Sequence, residues 1–373
     1  RAQPVKLPLI VNGRVDRPGA WDVFRLEGRA GDEIVAEVLA RRLGSPLDSL
    51  LELTDASGKQ LAANDDFEDK GAGLTTHHAD SQLLAKLPAD GTYLLRLGDT
   101  QHKGGTEYGY RLRISRPRLD FELRVAPSCI NARAGTTLPI AVHALRKDGF
   151  SGEITLGLRD MPQGFALGGG WIPAGQDSVR LTLTIPPAAQ AEPIKLRLEG
   201  RATIAWDAVC RTAVPAEDMM QAFAYRHLVP STLGLVTVIG AGGSGPPLKL
   251  LGETPAKLPA GGTARVRFSV PKGPLANEVR FELSDPPKGI AVKEVSPDPE
   301  GVAVVLSADG TDAKAGLKGN LIVDVFREVT PETKPGEPKA AARRTPLGLL
   351  PAVPFEVVAG APAAAPAPKP AAP

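Results

Sequence analysis

The residues best suited to chemistry gather near the start of the chain: Asp48, Asn64, Asp65, Asp66, Glu68, Asp69 and Asp80. Calcium takes about six to eight oxygens from carboxylates, amides and backbone carbonyls, and turns between strands can bring such oxygens together. Asp48 and Asp80 stand at the starts of apolar runs, and Asn64-Asp65-Asp66 ends another. In a sandwich those ends would meet at one rim, so calcium is the metal this set would take, with Asp48, Asn64, Asp65, Asp66 and Asp80 as ligands. The competing account is turn chemistry: Asn and Asp side chains bond their own backbone, and Glu68 and Asp69 are solvated.

Other candidates are weaker. Tyr93, Tyr108 and Tyr110 lie on or beside two apolar runs. Aromatics on a sandwich face can stack on sugars or grip a peptide, while core or edge packing is the alternative. His77-His78 lacks a third metal ligand at helical spacing. Gly240-Ala241-Gly242-Gly243-Ser244-Gly245 matches a dinucleotide-loop pattern, but Pro246-Pro247 follows where a helix would have to open. No Ser/His/Asp set has local motif support, so the sequence predicts no catalysis.

The elements that must position these residues are strands. The chain has 373 residues, with 40 glycines and 36 prolines and few aromatics, and short apolar runs alternate with Pro/Gly/Asp turns; it reads as all-β. Its 44 basic and 42 acidic side chains are spread along its length, which gives no reason to expect nucleic acid. No apolar run approaches the ~20 residues of a membrane-spanning helix. The first residue is Arg1 rather than Met, which suggests removal of a signal peptide or of a larger precursor's front.

Residues 1–117 predict eight short strands in a jelly-roll-like sandwich. Their motifs are Trp21-Asp22-Val23-Phe24, Ala30-Gly31-Asp32, Asp48, Asp55-Ala56-Ser57-Gly58, Asn64-Asp65-Asp66, Asp80-Ser81 and Pro88-Ala89-Asp90-Gly91-Thr92-Tyr93. In that order they resemble the bacterial pre-peptidase C-terminal (PPC) domain. The Arg41–Asp48 variant is similar to the version in large planctomycete-type surface proteins. The resemblance implies a secreted, periplasmic or surface address, frequently beside a protease, and relatives that bind calcium or insoluble protein such as collagen.

Residues 118–214 and 232–358 predict two immunoglobulin-like sandwiches, the second repeating the first. Ala134-Gly135-Thr136 and Met161-Pro162-Gln163-Gly164-Phe165 correspond to Ala260-Gly261-Gly262-Thr263 and Pro286-Pro287-Lys288-Gly289-Ile290. Cys129 and Cys210 fall near the first and in the last strand of the first copy; a disulfide and two buried free thiols both stay open. Residues 215–231 predict a helical linker, because Pro215, Glu217 and Asp218 suit a helix start and Pro230 its end. Met220, Phe223 and His227 would share one face of it. Residues 359–373 form an Ala/Pro-rich tail with nothing to bury. The expected function is non-catalytic: binding to extracellular protein, polysaccharide or envelope, with the later domains as spacers. The rivals are a surface-layer subunit that self-associates through its immunoglobulin-like domains, and an accessory piece of a secreted protease or hydrolase.

Overall fold

The computed structural model describes residues 2–75, 78–188, 192–221, 225–240, 249–269, 279–329 and 343–360. Among the described residues, thirty-one strands and one 3-10 turn make up the regular structure, so the all-β expectation holds. The chain forms two compact units. One comprises Arg1–Glu122, Leu145–Ser151 and Glu217–Pro230; the other comprises Leu123–Ala144, Gly152–Ala216 and Ser231–Pro373.

The first unit is built on nine strands: β1 (Gln3–Pro4), β2 (Leu9–Arg14), β3 (Asp22–Gly28), β4 (Glu33–Leu39), β5 (Ser49–Asp55), β6 (Gln60–Asn64), β7 (Gln82–Lys86), β8 (Gly91–Asp99) and β9 (Gly109–Ser115). One sheet has the order β1-β3-β8-β5-β6 and the other β2-β9-β4-β7. Alternation dictates the facing. In β3, Phe24 and Leu26 go inward while Arg25 and Glu27 stay in water, and β8 buries Tyr93, Leu95 and Leu97 opposite them. With Ile34, Val38, Leu51, Leu53, Leu112 and Ile114 they make one continuous apolar core. Each fully buried Leu or Ile contributes about 1.5–3 kcal/mol, so this layer, not the turns, holds the sheets together.

In the second unit the two stretches that correspond in sequence share several local features. Cys129–Arg133 pairs in parallel with Leu235–Ile239, and Ala256–Pro259 pairs in parallel with Val353–Val358. Each opening strand runs into a left-handed glycine, Gly135 in one copy and Gly261 in the other. Asp160 and Gly164 adopt positive φ in one Asp-x-Pro-x-Gly turn, as do Asp285 and Gly289 in its counterpart. The strand that pairs with Cys129–Arg133 thus lies beyond residue 214. The second copy closes on Phe268, Val302, Val304, Leu321, Val323 and Phe355.

The helix expected over residues 215–231 is absent from the described residues. Asp207–Gln221 is one long strand, and Tyr225–Pro230 is a second strand paired with it. The reason is tertiary pairing: Ala213, Val214 and Pro215 sit in parallel register with Leu123, Arg124 and Val125. That ladder outweighs the helix-start signals of Pro215, Glu217 and Asp218. Met220 is exposed and His227 buried, so they do not share a face; Phe223 lies outside the described residues. The same holds for residues 241–248 of the glycine-rich loop and 361–373 of the tail.

Candidate functional site

Asp80 precedes β7 and is buried. Its Oδ1 accepts the backbone N–H groups of Ala40 and Arg41 at 2.9 and 2.7 Å, and its Oδ2 accepts the N–H and Nε of Arg42 at 3.2 and 2.7 Å. These donors open the short 3-10 turn Arg41–Leu43 after β4, whose N-cap residue Ala40 makes no side-chain cap bond. Asp80 supplies one from across the sheet. Asn64 is likewise engaged at both ends, its Nδ2 donating to Asp66 O at 2.9 Å and its Oδ1 accepting Gln82 N–H at 2.8 Å. Asp65 accepts the N–H of Asp66 at 3.1 Å, and the backbone of Asp48 both donates to Asp99 and accepts from Thr100.

Of the five residues expected to hold calcium, Asp80 and Asn64 are thus already engaged by donors and acceptors of the protein itself. Among the described residues no group of three or more His, Cys, Asp or Glu side chains is placed to hold a metal ion. Asp80 is neutralised by a guanidinium and filled by backbone donors, and Asn64 spans two loops. The arrangement fits turn chemistry. His78 lines a cavity of about 90 Å³ with Arg41, Arg42, Phe67 and Asp69; its neighbour His77 lies outside the described residues.

Two of the three tyrosines are core residues. Tyr93 is 2% exposed, and its hydroxyl donates to Ala89 O at 2.6 Å, locking the Pro88–Gly91 turn to β8. Tyr110 is 5% exposed and donates to Asp22 Oδ2 at 2.5 Å. Burial, then the hydrogen bond to Asp22, pushes its phenol far above the ordinary tyrosine value. Tyr108 is half-buried against the same core. The tyrosines do not form an aromatic face on the sandwich. Their placement follows the inward alternation of β8 and β9.

The cysteines are separate. Cys129 and Cys210 are both free and both exposed. Cys129 is paired opposite Leu235, whereas Cys210 stands opposite Arg201 on a different sheet, its thiol 3.5 Å from Glu199 Oε2. Neither the disulfide nor the buried-thiol alternative is realised.

The acids that do the most work in this unit include two not singled out for chemistry. Asp99 accepts the N–H groups of Asp48, Gln101 and Lys103 at 3.0, 3.0 and 2.9 Å, closing the turn after β8. Its place in Gly98-Asp99-Thr100, at the end of an apolar run, is an Asx-turn signal. Asp148 takes both arms of Arg113 at 2.8 Å and the N–H of Arg118 at 2.8 Å. Burial pushes its carboxyl up, but the hydrogen bonds and charge of Arg113 and Arg118 outweigh that and hold it below the usual range. No local signal marks this pair, because its members are far apart in sequence. Trp21, at the head of a recognised motif, lies under the Arg96 guanidinium at 4.5 Å and covers Gly98.

No family model matches the chain. A stretch of 82 residues, 22% of this chain, is 48% identical to a probable subtilase-type serine protease of Deinococcus radiodurans. The match spans only 10% of that protein's length. Among solved structures, the pre-peptidase C-terminal domain of a collagenase from Bacillus anthracis aligns with 31% of this chain and 95% of its own. Identity there is 17% and the TM-score 0.23.

Proposed function

We propose that this chain is a non-catalytic accessory segment of a larger secreted or surface protein. Its first sandwich attaches to extracellular protein, polysaccharide or envelope, and its second unit serves as a spacer. The observation that carries this reading is the use made of the polar residues: Asp80, Asn64, Tyr93 and Tyr110 serve as turn and sheet ties, so recognition falls to the outer surface. The identity shared with a probable subtilase-type serine protease supports a place beside a protease domain. The ordered motifs of residues 1–117, with their resemblance to PPC domains, support the extracellular address.

Within the second unit the two repeated sandwiches are tied by Asn320. Its Nδ2 donates to Gly169 O and Arg180 O at 2.7 and 3.0 Å, and its Oδ1 accepts Trp171 Nε1 at 3.1 Å. A buried bond from Ala352 N–H to Thr182 Oγ1 at 2.8 Å lies beside it. A stiff joint of this kind suits a spacer. The test is co-sedimentation of the full chain with insoluble collagen, cellulose and bacterial envelope fractions, with casein hydrolysis in parallel. The expected result is partition with one matrix and no hydrolysis. A chain that stays in the supernatant with every matrix, or cuts casein and stops on a single Ser or His substitution, overturns the reading.

A further inference from the structure

One edge of the first sandwich is incompletely covered. Strand β1 pairs with β3 only at Gln3↔Phe24 and Pro4↔Arg25, and Val5 N–H adds one bond to Arg25 O at 2.9 Å. The chain then turns through Lys6-Leu7-Pro8 to join the other sheet as β2. Strand β3 continues through Leu26, Glu27 and Gly28, paired with β8 on its other side only. Backbone groups alternate sides along a strand. Those of Glu27 therefore face the same edge as those of Arg25, and they have no backbone partner among the described residues.

That edge borders a groove of about 1100 Å³, with Val5, Leu7 and Pro117 among its apolar lining. Charged side chains rim it: Lys6, Arg25, Arg116 and Arg118 against Glu27 and Asp32. The two carboxylates are already occupied. Asp32 holds Arg116 at 3.2 Å and the N–H of Arg29 at 3.0 Å, and Glu27 accepts the hydroxyl of Thr92 at 3.0 Å. Lys6 and Arg25 make no ion pair among the described residues, while Arg118 already acts on Asp148; this leaves a surplus of positive charge over an open strand edge.

We infer that this groove docks an extended acidic segment of another polypeptide, which lengthens the sheet at β3. Main-chain bonds at Glu27 would supply the pairing, alternate side chains would fill the apolar floor, and carboxylates would meet Lys6, Arg25 and Arg118. The inference rests on reading the first sandwich as an attachment module and names the chemistry of its partner. Pro4 and Pro8 bracket the gap. Past Val5 the chain leaves this edge and pairs with β9 from Leu9 onward, so the segment does not itself complete the ladder on β3.

The experiment titrates the full chain into a fluorescein-labelled alternating Glu-Val peptide and follows anisotropy. Binding is expected, weakened at least ~10-fold by Lys6→Glu/Arg25→Glu and by a comparable factor when the peptide backbone is N-methylated at alternate residues. An alternating Lys-Val peptide should not bind. Failure of the Glu-Val peptide to bind, indifference to the charge reversal or to N-methylation, or equal binding by dextran sulfate overturns the inference. If the reversal variant melts early, Lys6→Gln/Arg25→Gln takes its place, with a loss of at least ~3-fold expected. Co-sedimentation with an insoluble matrix that survives a negative peptide result would leave the attachment role standing while this assignment falls.

Discussion

Arg42 meets Asp80 twice, through its backbone N–H at 3.2 Å and its Nε at 2.7 Å. Ala40 and Arg41 share the carboxylate, so one buried acid closes a whole turn. Asp80→Ala strands the buried Ala40 N–H and the Arg42 head together, and should cost about 3 kcal/mol. Asp80→Asn keeps an acceptor for two of the amides and should lose about half of that. Calorimetry of the full chain should show the same loss in millimolar calcium and in EDTA. The exposed pair Asp65→Ala/Asp66→Ala should move the midpoint by no more than about 0.5 kcal/mol in either buffer. A calcium-dependent rise that this double variant abolishes would restore the metal reading.

Tyr110 packs so closely over Gly13 that a Cβ there would lie 2.4 Å from its hydroxyl oxygen. Tyr110→Phe removes the donor to Asp22 and should cost about 1–2 kcal/mol. Gly13→Ala should cost more, because β2 must move away from β9 to admit the methyl group. In an alkaline titration of the folded chain, the Tyr110 phenol should ionise only as the fold is lost, well above a free tyrosine. Early ionisation of every tyrosine, followed by phenolate absorbance, would contradict its burial.

The strands of the first sandwich were legible because alternation is a local signal. Asp22–Gly28 and Gly91–Asp99 can be read from their own residues, since Phe24, Leu26, Leu95 and Leu97 must all face one way. The stretch after residue 207 was not legible. Pro215, Glu217 and Asp218 state a helix start locally, and only the distant strand Asp120–Ala126, alongside in parallel, makes them extended. The acidic rim reads two ways in sequence for a related reason. A turn-capping Asp and a calcium-binding Asp are the same residue type in the same place between strands, and Arg42, which pairs with Asp80, lies far from it in sequence.

The Arg113–Asp148 pair carries a pH dependence with a definite sign. The carboxyl of Asp148 is held below its unfolded value of about 3.9. Its contribution is therefore fully present above that value and is lost as pH falls through the folded pKa. Arg113, raised from an already high value, stays charged throughout. Asp148→Asn should cost about 3 kcal/mol at pH 7, because it leaves Arg113 half-buried with only Glu37 as a charged partner. Urea unfolding should show the gap between variant and wild type closing from about pH 4 downward. A gap constant down to pH 2 would mean that the pair contributes by shape alone.

Ala205 and Trp206 form a two-residue hairpin turn between Ile204 and Asp207, with φ of 48° and 77°. Turns of this type need positive φ at both central positions and favour Asn-Gly. Trp206 is 97% exposed, so its ring returns no packing for the backbone it occupies. Ala205→Asn/Trp206→Gly should stabilise the second unit by about 1–2 kcal/mol, read as a higher urea midpoint at unchanged slope. A lower midpoint would show that the indole is held by something in solution.

Asn320 touches three groups of the neighbouring sandwich with one amide, and Gly169 makes room for it. A Cβ on Gly169 would stand 2.4 Å from Asn320 Nδ2, at a backbone φ of 78° that disfavours side chains in any case. Removing the amide with Asn320→Ala costs the bonds to Gly169, Arg180 and Trp171, about 1 kcal/mol each. The core of each sandwich is untouched by that change. The loss therefore falls on the coupling between them, and one calorimetric transition of the second unit should separate into two. Asn320→Asp should do the same, because a carboxylate would face two carbonyl oxygens with no proton to offer. Gly169→Ala should act from the other side, and combining it with Asn320→Ala should add little, since both remove one joint. If both single variants unfold in a single step at the wild-type midpoint, the sandwiches are coupled elsewhere, and Arg180, at 2.7 Å from Asp285, is the next residue to change.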